Sequence, residues 1–322
     1  MASVPSSERA SSDPPDRPGS AAVEGVRVDA AYLADIGRAR SENQDACGAF
    51  CDAAGNRLFV VADGMGGHRG GATASRICVQ TLGRAFEASG DALGRRLHDG
   101  IAEAGDAIQA AAEEDPGLGD MGTTAVALAL GRDGEAWVAW VGDSRAYRLR
   151  AGTIERLTED HSIVAEMVRR SLIRPEEAAS HPRRSELLRC IGPSSQLEID
   201  LQRVDVADGD RFLLCTDGLW GQVGDAEIAA VAGVETPERA VARLVELANL
   251  RGGPDNITVQ IAALSGAAAV PLQAPLPAAP APSAPVEPAR ASWLPMALVG
   301  SAVAVAAVLV LLLWFASTHA GG

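Results

Sequence analysis

The run EAWVAWVGDSRAYRLR, residues 135–150, decides the fold. Two apolar segments, AWVAWV and RAYRLR, are separated by three residues, GDS, too few for a helix. A third segment at residues 153–157 continues the pattern. Strands that follow one another without a helix between them favour antiparallel sheets with helices outside, an α+β layered domain rather than a doubly wound one. Outward from this run, VRVDAAYL (26–33), RLFVVAD (57–63), TTAVALAL (123–130), LEIDLQRV (197–204), RFLLCTD (211–217) and NITVQIAAL (256–264) also read as strands. Several lack polar alternation, which implies sheets covered on both faces. Helical stretches are predicted over residues 72–88, 92–112, 162–171 and 237–250. The last opens on Pro237 and carries Ala240, Val241, Leu244, Val245 and Leu247 at helical spacing.

Composition excludes several activities. The 322 residues hold 28 basic and 42 acidic side chains, a net charge of −14, and every basic residue is Arg. Without Lys the chain is not a Schiff-base enzyme, a Lys-dependent phosphate-loop protein or a protein kinase. The acidic balance and 4% aromatic content argue against a nucleic-acid binder. Of the five cysteines (Cys47, Cys51, Cys78, Cys190 and Cys215), the first two alone have metal-like spacing, and no second pair complements them. They read as buried thiols in a reducing compartment rather than as a zinc site.

Five segments are expected. Residues 1–24 are polar and rich in Pro and Ser, a disordered tail without the apolar stretch of a secretory signal. Residues 25–265 are globular. Residues 266–292 hold seven prolines and one acidic residue, a semi-rigid spacer of about 80 Å when extended. Residues 293–316 are predicted to form a transmembrane helix. The uncharged stretch 294–316 reaches roughly 34 Å as a helix, enough to cross a hydrocarbon core, with Trp293 and Trp314 near its ends. Residues 317–322 form a short tail. Arg290 precedes the anchor and no basic residue follows it, which places the globular domain on the cytoplasmic face.

Four aspartates, Asp63, Asp143, Asp217 and Asp255, stand at strand edges. Singly, each is ordinary turn or cap chemistry. Jointly they would repel one another unless a cation collects them. Oxygen ligands without His or Cys clusters select Mg²⁺ or Mn²⁺ over zinc.

In chain order the sequence contains RSENQD (40–45), VADGMGGHRGG (61–71), MGTT (121–124), GDSRAY (142–147), HPRRSELLRCIG (181–192), CTDGLW (215–220) and GGPDNITV (252–259). Together these motifs resemble the bacterial branch of the metal-dependent protein phosphatase 2C family, over about residues 26–264. The resemblance implies a four-layer α-β-β-α sandwich of two antiparallel sheets flanked by helices, with a binuclear Mn²⁺/Mg²⁺ site at one end. It places Asp63 on both metals, the Gly64 carbonyl on one, and Asp217 and Asp255 on the other. Asp143 with Asp217 corresponds to a looser third-metal position. Asp45 resembles the acid that hydrogen-bonds metal-bound water, and Arg40 the phosphate-binding arginine, with Arg38 as a nearby competitor. Direct attack of a metal-activated hydroxide on phosphorus is the implied chemistry. In animal members a His follows the Asp-Gly pair; Met65 stands there in this chain. His68 is then a candidate general acid, with loop bracing, or proton supply by solvent, as the alternatives. His161 is read as a helix-start residue.

The family's flap corresponds to residues 162–182. Where relatives commonly read Glu-Gly-x-Ile-Thr, this chain has RRSLIRPEE (169–177), a swap expected to favour acidic phosphoprotein surfaces through residues such as Arg169. The reading is therefore a membrane-tethered serine/threonine phosphatase that opposes kinases and acts on phosphorylated proteins. A silent phosphoprotein-binding module and a two-metal hydrolase of small phosphates are the competing classes. Intact carboxylates weigh against the first, and scarce aromatics against the second.

Overall fold

The computed structural model describes residues 26–66, 69–193 and 197–266. All lie in the first of two units into which the chain divides, residues 1–272 and 273–322. The predicted N-terminal tail, spacer and transmembrane helix, and His68, fall outside the described residues. Among the described residues, no helix is long and apolar enough to cross a membrane.

The chain opens with β1 (Arg27–Asp35), β2 (Asp45–Cys51) and β3 (Arg57–Met65), followed by α1 (Gly70–Ala88) and α2 (Leu93–Glu114). Next come β4 (Gly122–Thr123), β5 (Ala125–Leu130), β6 (Ala136–Val141), β7 (Arg145–Arg150) and β8 (Thr153–Arg156). Short helices α3 (Ile163–Arg169) and α4 (Pro175–Ala178) form the flap. Then follow β9 (Asp200–Val204), β10 (Arg211–Cys215), α5 (Asp217–Trp220), α6 (Asp225–Ala232), α7 (Pro237–Leu250) and β11 (Ile257–Ser265). One sheet has the order β1-β11-β10-β7-β8 and the other β2-β3-β5-β6-β9, with β4 paired to β3. Every pairing is antiparallel, and β6 and β7 join different sheets. The GDS turn of the opening motif therefore crosses from one layer of the sandwich to the other.

Side-chain alternation explains the apolar strand runs. On β3, Leu58, Val60 and Ala62 pack with α1 and α2, while Phe59 and Val61 face the opposite sheet. On β5 the helix side carries Ala125, Ala127 and Ala129, and the sandwich side Val126, Leu128 and Leu130. On β10, Phe212 and Leu214 point inward, while Leu213 and Cys215 pack with Ile228 of α6 and Leu244 of α7. Both faces of the central strands β3, β5 and β10 are thus buried, as the missing alternation requires.

Strand β2 and the short helices α4, α5 and α6 were not predicted from sequence. Strand β2 (DACGAFC) has no β-branched residue and is an edge strand that pairs with β3 alone. Helix α6 spans eight residues, too few to display a clear helical period.

Candidate active site

Strand register gathers the candidate residues at one end of the sandwich. Asp45, the first residue of β2, lies directly opposite Asp63 near the end of β3. The end of β10 pairs with the start of β7, Cys215 to Arg145, and with Val259 near the start of β11. Asp217 follows that end of β10, Asp255 precedes β11, and Asp143 lies in the turn before β7.

Backbone and hydroxyl groups fix Asp45 and Asp63. The hydroxyls of Thr216 and Thr258 both donate to Asp45 Oδ2, at 2.9 and 2.7 Å, and so stitch the two sheets together. Asp45 Oδ1 is buried without a partner. Asp63 N–H donates to the Thr124 hydroxyl at 2.9 Å, and its carbonyl accepts from the Thr123 hydroxyl and the Thr124 N–H. Gly64 donates to the Gln44 carbonyl at 3.1 Å. A Cβ on Gly64 would stand 2.1 Å from the Gly71 carbonyl, so only glycine lets α1 start this close to the strand.

Carboxylates outnumber the arginines near them here. Burial, opposed by the two threonine hydroxyls, pushes the Asp45 carboxyl up to about 7. Burial and the neighbouring carboxylates raise Asp63 well above the usual carboxylate range. Burial, with Asp217 as the next cause, pushes Asp143 up to about 8. Asp217 is pushed up to about 6, by burial and then by Asp255. Like Asp45, it has a buried oxygen, Oδ1, with no partner.

The loop bearing Arg40 is stapled by Asn256. Its amide nitrogen donates to the carbonyls of Ile36 and Glu42, both at 3.0 Å, and its amide oxygen accepts from Gln44 N–H at 2.8 Å. Asn43 in turn accepts from Asp45 N–H. This staple sets Arg40 beside Asp255, Nη2 to Oδ2 at 2.6 Å. Arg40 lines the cleft above the carboxylates, whereas Arg38 is not among its lining residues. Among the described residues, no three His, Cys, Asp or Glu side chains are already drawn into a ligand shell. Asp255 is turned to Arg40 instead.

A cleft of about 720 Å³ runs from Arg40, Asp217 and Asp255 to the underside of the flap, where Val164, Ala165 and Val168 of α3 line it. The expectation for Arg169 changes here. Its guanidinium is paired with Glu166 and with Glu159, so its charge is already matched. Arg184 also lines the cleft, and among the described residues no carboxylate pairs with its side chain. His161 is buried and braced. Its Nδ1 accepts from Gly142 N–H at 3.1 Å, Nε2 faces Asp200 at 3.3 Å, and the ring stacks on Trp140. Burial holds its pKa below the ordinary histidine value, so it remains a neutral support for the Asp143 turn.

Thr216, Thr258, Thr124 and Asn256 carry much of this arrangement without having been singled out from sequence. Each directly adjoins or closely follows a recognised aspartate, or sits in the MGTT motif, and that adjacency was the available signal.

The fold and carboxylate cluster define a metal-dependent phosphohydrolase class, and comparison with known proteins agrees. Residues 37–252 match the protein phosphatase 2C family. The serine/threonine phosphatase stp of Listeria welshimeri is 36% identical over 239 residues, covering 71% of this chain and 93% of that protein. The serine/threonine protein phosphatase PstP of Mycobacterium tuberculosis is 38% identical over 234 residues, covering 72% of this chain and 44% of PstP. The crystal structure of a PstP catalytic domain in complex with two manganese ions superposes with a TM-score of 0.68 at 33% identity, covering 74% of this chain and 99% of that one. The chain belongs to the bacterial protein phosphatase 2C family and is a metal-dependent protein serine/threonine phosphatase.

The residues present fit hard divalent cations. Every donor is oxygen, two buried carboxylate oxygens lack partners, and Asp63 is crowded by four neighbouring carboxylates. Freeing Asp255 Oδ2 requires breaking its half-exposed pair with Arg40, worth about 0–1 kcal/mol, while Oδ1 keeps the Asn256 N–H.

Proposed function

We propose that the chain hydrolyses phosphoserine and phosphothreonine at a binuclear Mn²⁺ or Mg²⁺ site. Asp63, the Gly64 carbonyl, Asp217 and Asp255 would hold the two ions, and Asp143 with Asp217 a looser third. The observation that carries this reading is the gathering of Asp45, Asp63, Asp143, Asp217 and Asp255 at one end of the sandwich, with Arg40 against them. Bound there, the cations would lower the pKa of a water so that hydroxide is available at neutral pH to attack phosphorus, and would offset the charge that develops on the phosphoryl oxygens.

The protein's own groups do the remainder. Arg40 leaves Asp255 and grips two phosphate oxygens with its planar fork, orienting phosphorus toward the carboxylates. Asp45, with Oδ2 saturated by two threonines, offers Oδ1 to orient the attacking water. The cleft beneath the flap receives the peptide that flanks the phosphoresidue, and Arg184 favours acidic neighbours there.

The same proposal includes a tether. The predicted helix at residues 293–316 and the Pro-rich spacer keep the domain on the cytoplasmic face, near membrane-bound phosphoproteins and opposed to their kinases, raising its effective concentration there. Carbonate-resistant membrane association that disappears when the chain ends at Arg290 supports the tether; association unchanged by that truncation refutes it.

The chemistry is tested on the full-length chain with a phosphothreonine peptide, in Mn²⁺ or in EDTA, beside an Asp217→Asn variant. Phosphate release that requires Mn²⁺ and is lost in the variant supports the site. Release insensitive to both overturns it.

A further inference from the structure

Asp143 and Asp217 lie on different segments, the turn before β7 and the first residue of α5. Trp220 links the two. It stands three residues after Asp217, one helical turn away on the same face. Its indole Nε1–H donates to the backbone carbonyl of Asp143 at 3.0 Å. The indole is itself clamped, because the Arg145 guanidinium lies over its ring, 3.6 Å from the centroid. Arg145 has little freedom of its own. Its Nε and Nη2 are bidentate on Asp160 at 3.0 and 2.7 Å, and Nη1 donates to the Tyr147 hydroxyl at 3.1 Å. One continuous chain of contacts thus runs from Asp160 through Arg145 and Trp220 to the carbonyl of Asp143.

We infer that Trp220 is a positioning residue that sets the separation of the Asp143 and Asp217 carboxylates, and that Arg145 holds the indole in that pose. The inference rests on the reading of these two aspartates as metal ligands and extends it to a side chain on the wall of the cleft that supplies no metal-ligating atom. A spacer matters at this place because the two aspartates sit on separate segments and the indole N–H is a direct link between those segments. Left unbraced, the turn and the helix would relax apart. The two groups would then no longer share an ion.

The test is Mn²⁺ titration calorimetry on the full-length chain. Trp220→Phe keeps an aromatic face for Arg145 and removes the N–H, so the weakest-binding Mn²⁺ step should lose about tenfold in affinity, as outer-shell partners of metal ligands do. In an Asp143→Asn background the same substitution should change nothing further, since the indole acts through Asp143. An unchanged isotherm in Trp220→Phe overturns the inference, as does an equal loss in the Asp143→Asn background. A wild-type chain that binds no Mn²⁺ overturns the metal reading itself, and this inference with it. Where circular dichroism shows that Trp220→Phe fails to fold, Arg145→Gln, which keeps the N–H and frees the ring, is titrated with the same expectation and the same refuting result.

Discussion

Arg40 and Asp255 share one short hydrogen bond, Nη2 to Oδ2 at 2.6 Å, although the first is assigned to phosphate and the second to metal. Both side chains are substantially exposed, at 51% and 31%, so the pair contributes only about 0–1 kcal/mol. On the proposed assignment, a divalent cation at Asp255 would displace this pair and leave Arg40 free for substrate. Replacing Arg40 by Ala should therefore leave Mn²⁺ affinity unchanged or tighter. It should also lower kcat/KM on a phosphopeptide by about 10- to 100-fold, the loss of charged hydrogen bonds worth ~1.5–3 kcal/mol. Calorimetry and steady-state kinetics on one preparation check both halves; weakened Mn²⁺ binding would place Arg40 in the metal site's support instead.

Stability should depend on pH in an unusual direction. Asp217, Asp45 and Asp143 have folded pKa values of about 6, 7 and 8, all above the ordinary 3.8. The folded chain then binds more protons than the unfolded one, so stability falls as pH rises through this range. In EDTA the melting temperature should be highest near pH 5 and decline toward pH 8. Mn²⁺ should restore it most at pH 8, because the ion binds the ionised forms. A melting temperature in EDTA that rises over this interval would contradict the account.

Asp217→Asn should separate activity from stability. Losing a metal carboxylate removes several kcal/mol of transition-state stabilisation, a rate loss on the order of a thousandfold. The same change removes a buried, repelled charge, so in EDTA the variant should melt at a higher temperature than wild type. Phosphate release and thermal unfolding read these opposite effects. A variant that is both inactive and less stable without metal would mean that Asp217 is chiefly a structural group.

Selectivity should follow the unmatched cation. Arg169 is already neutralised by Glu166 and Glu159, while Arg184 faces the cleft without an acidic partner among the described residues. Arg184→Glu should reduce the preference for acidic over basic phosphopeptides by about fivefold, the value of roughly 1 kcal/mol for an exposed pair. Arg169→Glu should shift it less. Competition between paired acidic and basic phosphopeptides reads the difference; equal shifts would point to the general field of the flap.

The sandwich was legible because burial on both faces leaves a direct mark: VVAD, AVALAL and RFLLC have no polar alternation. The aspartates were legible because a carboxylate ending an apolar strand is conspicuous. Asn256 was not, since its three loop contacts at Ile36, Glu42 and Gln44 span more than two hundred residues of sequence. Pairing partners hide charge in the same way. Arg169 reads as a free cation until folding brings Glu159 beside it.

The site is assembled from the two extremes of its domain. Asp45 receives hydroxyls from Thr216 and Thr258, 171 and 213 residues away, and Arg40 meets Asp255 across 215. Strand β11, the last to be synthesised, inserts between β1 and β10 rather than adding to an edge. Such non-local pairing is slow, and it closes only after nearly the whole domain has emerged from the ribosome. A nascent chain halted before residue 255 lacks both Asp255 and the Asn256 staple of the Arg40 loop. Completion of the cleft therefore waits on the last strand of the sandwich.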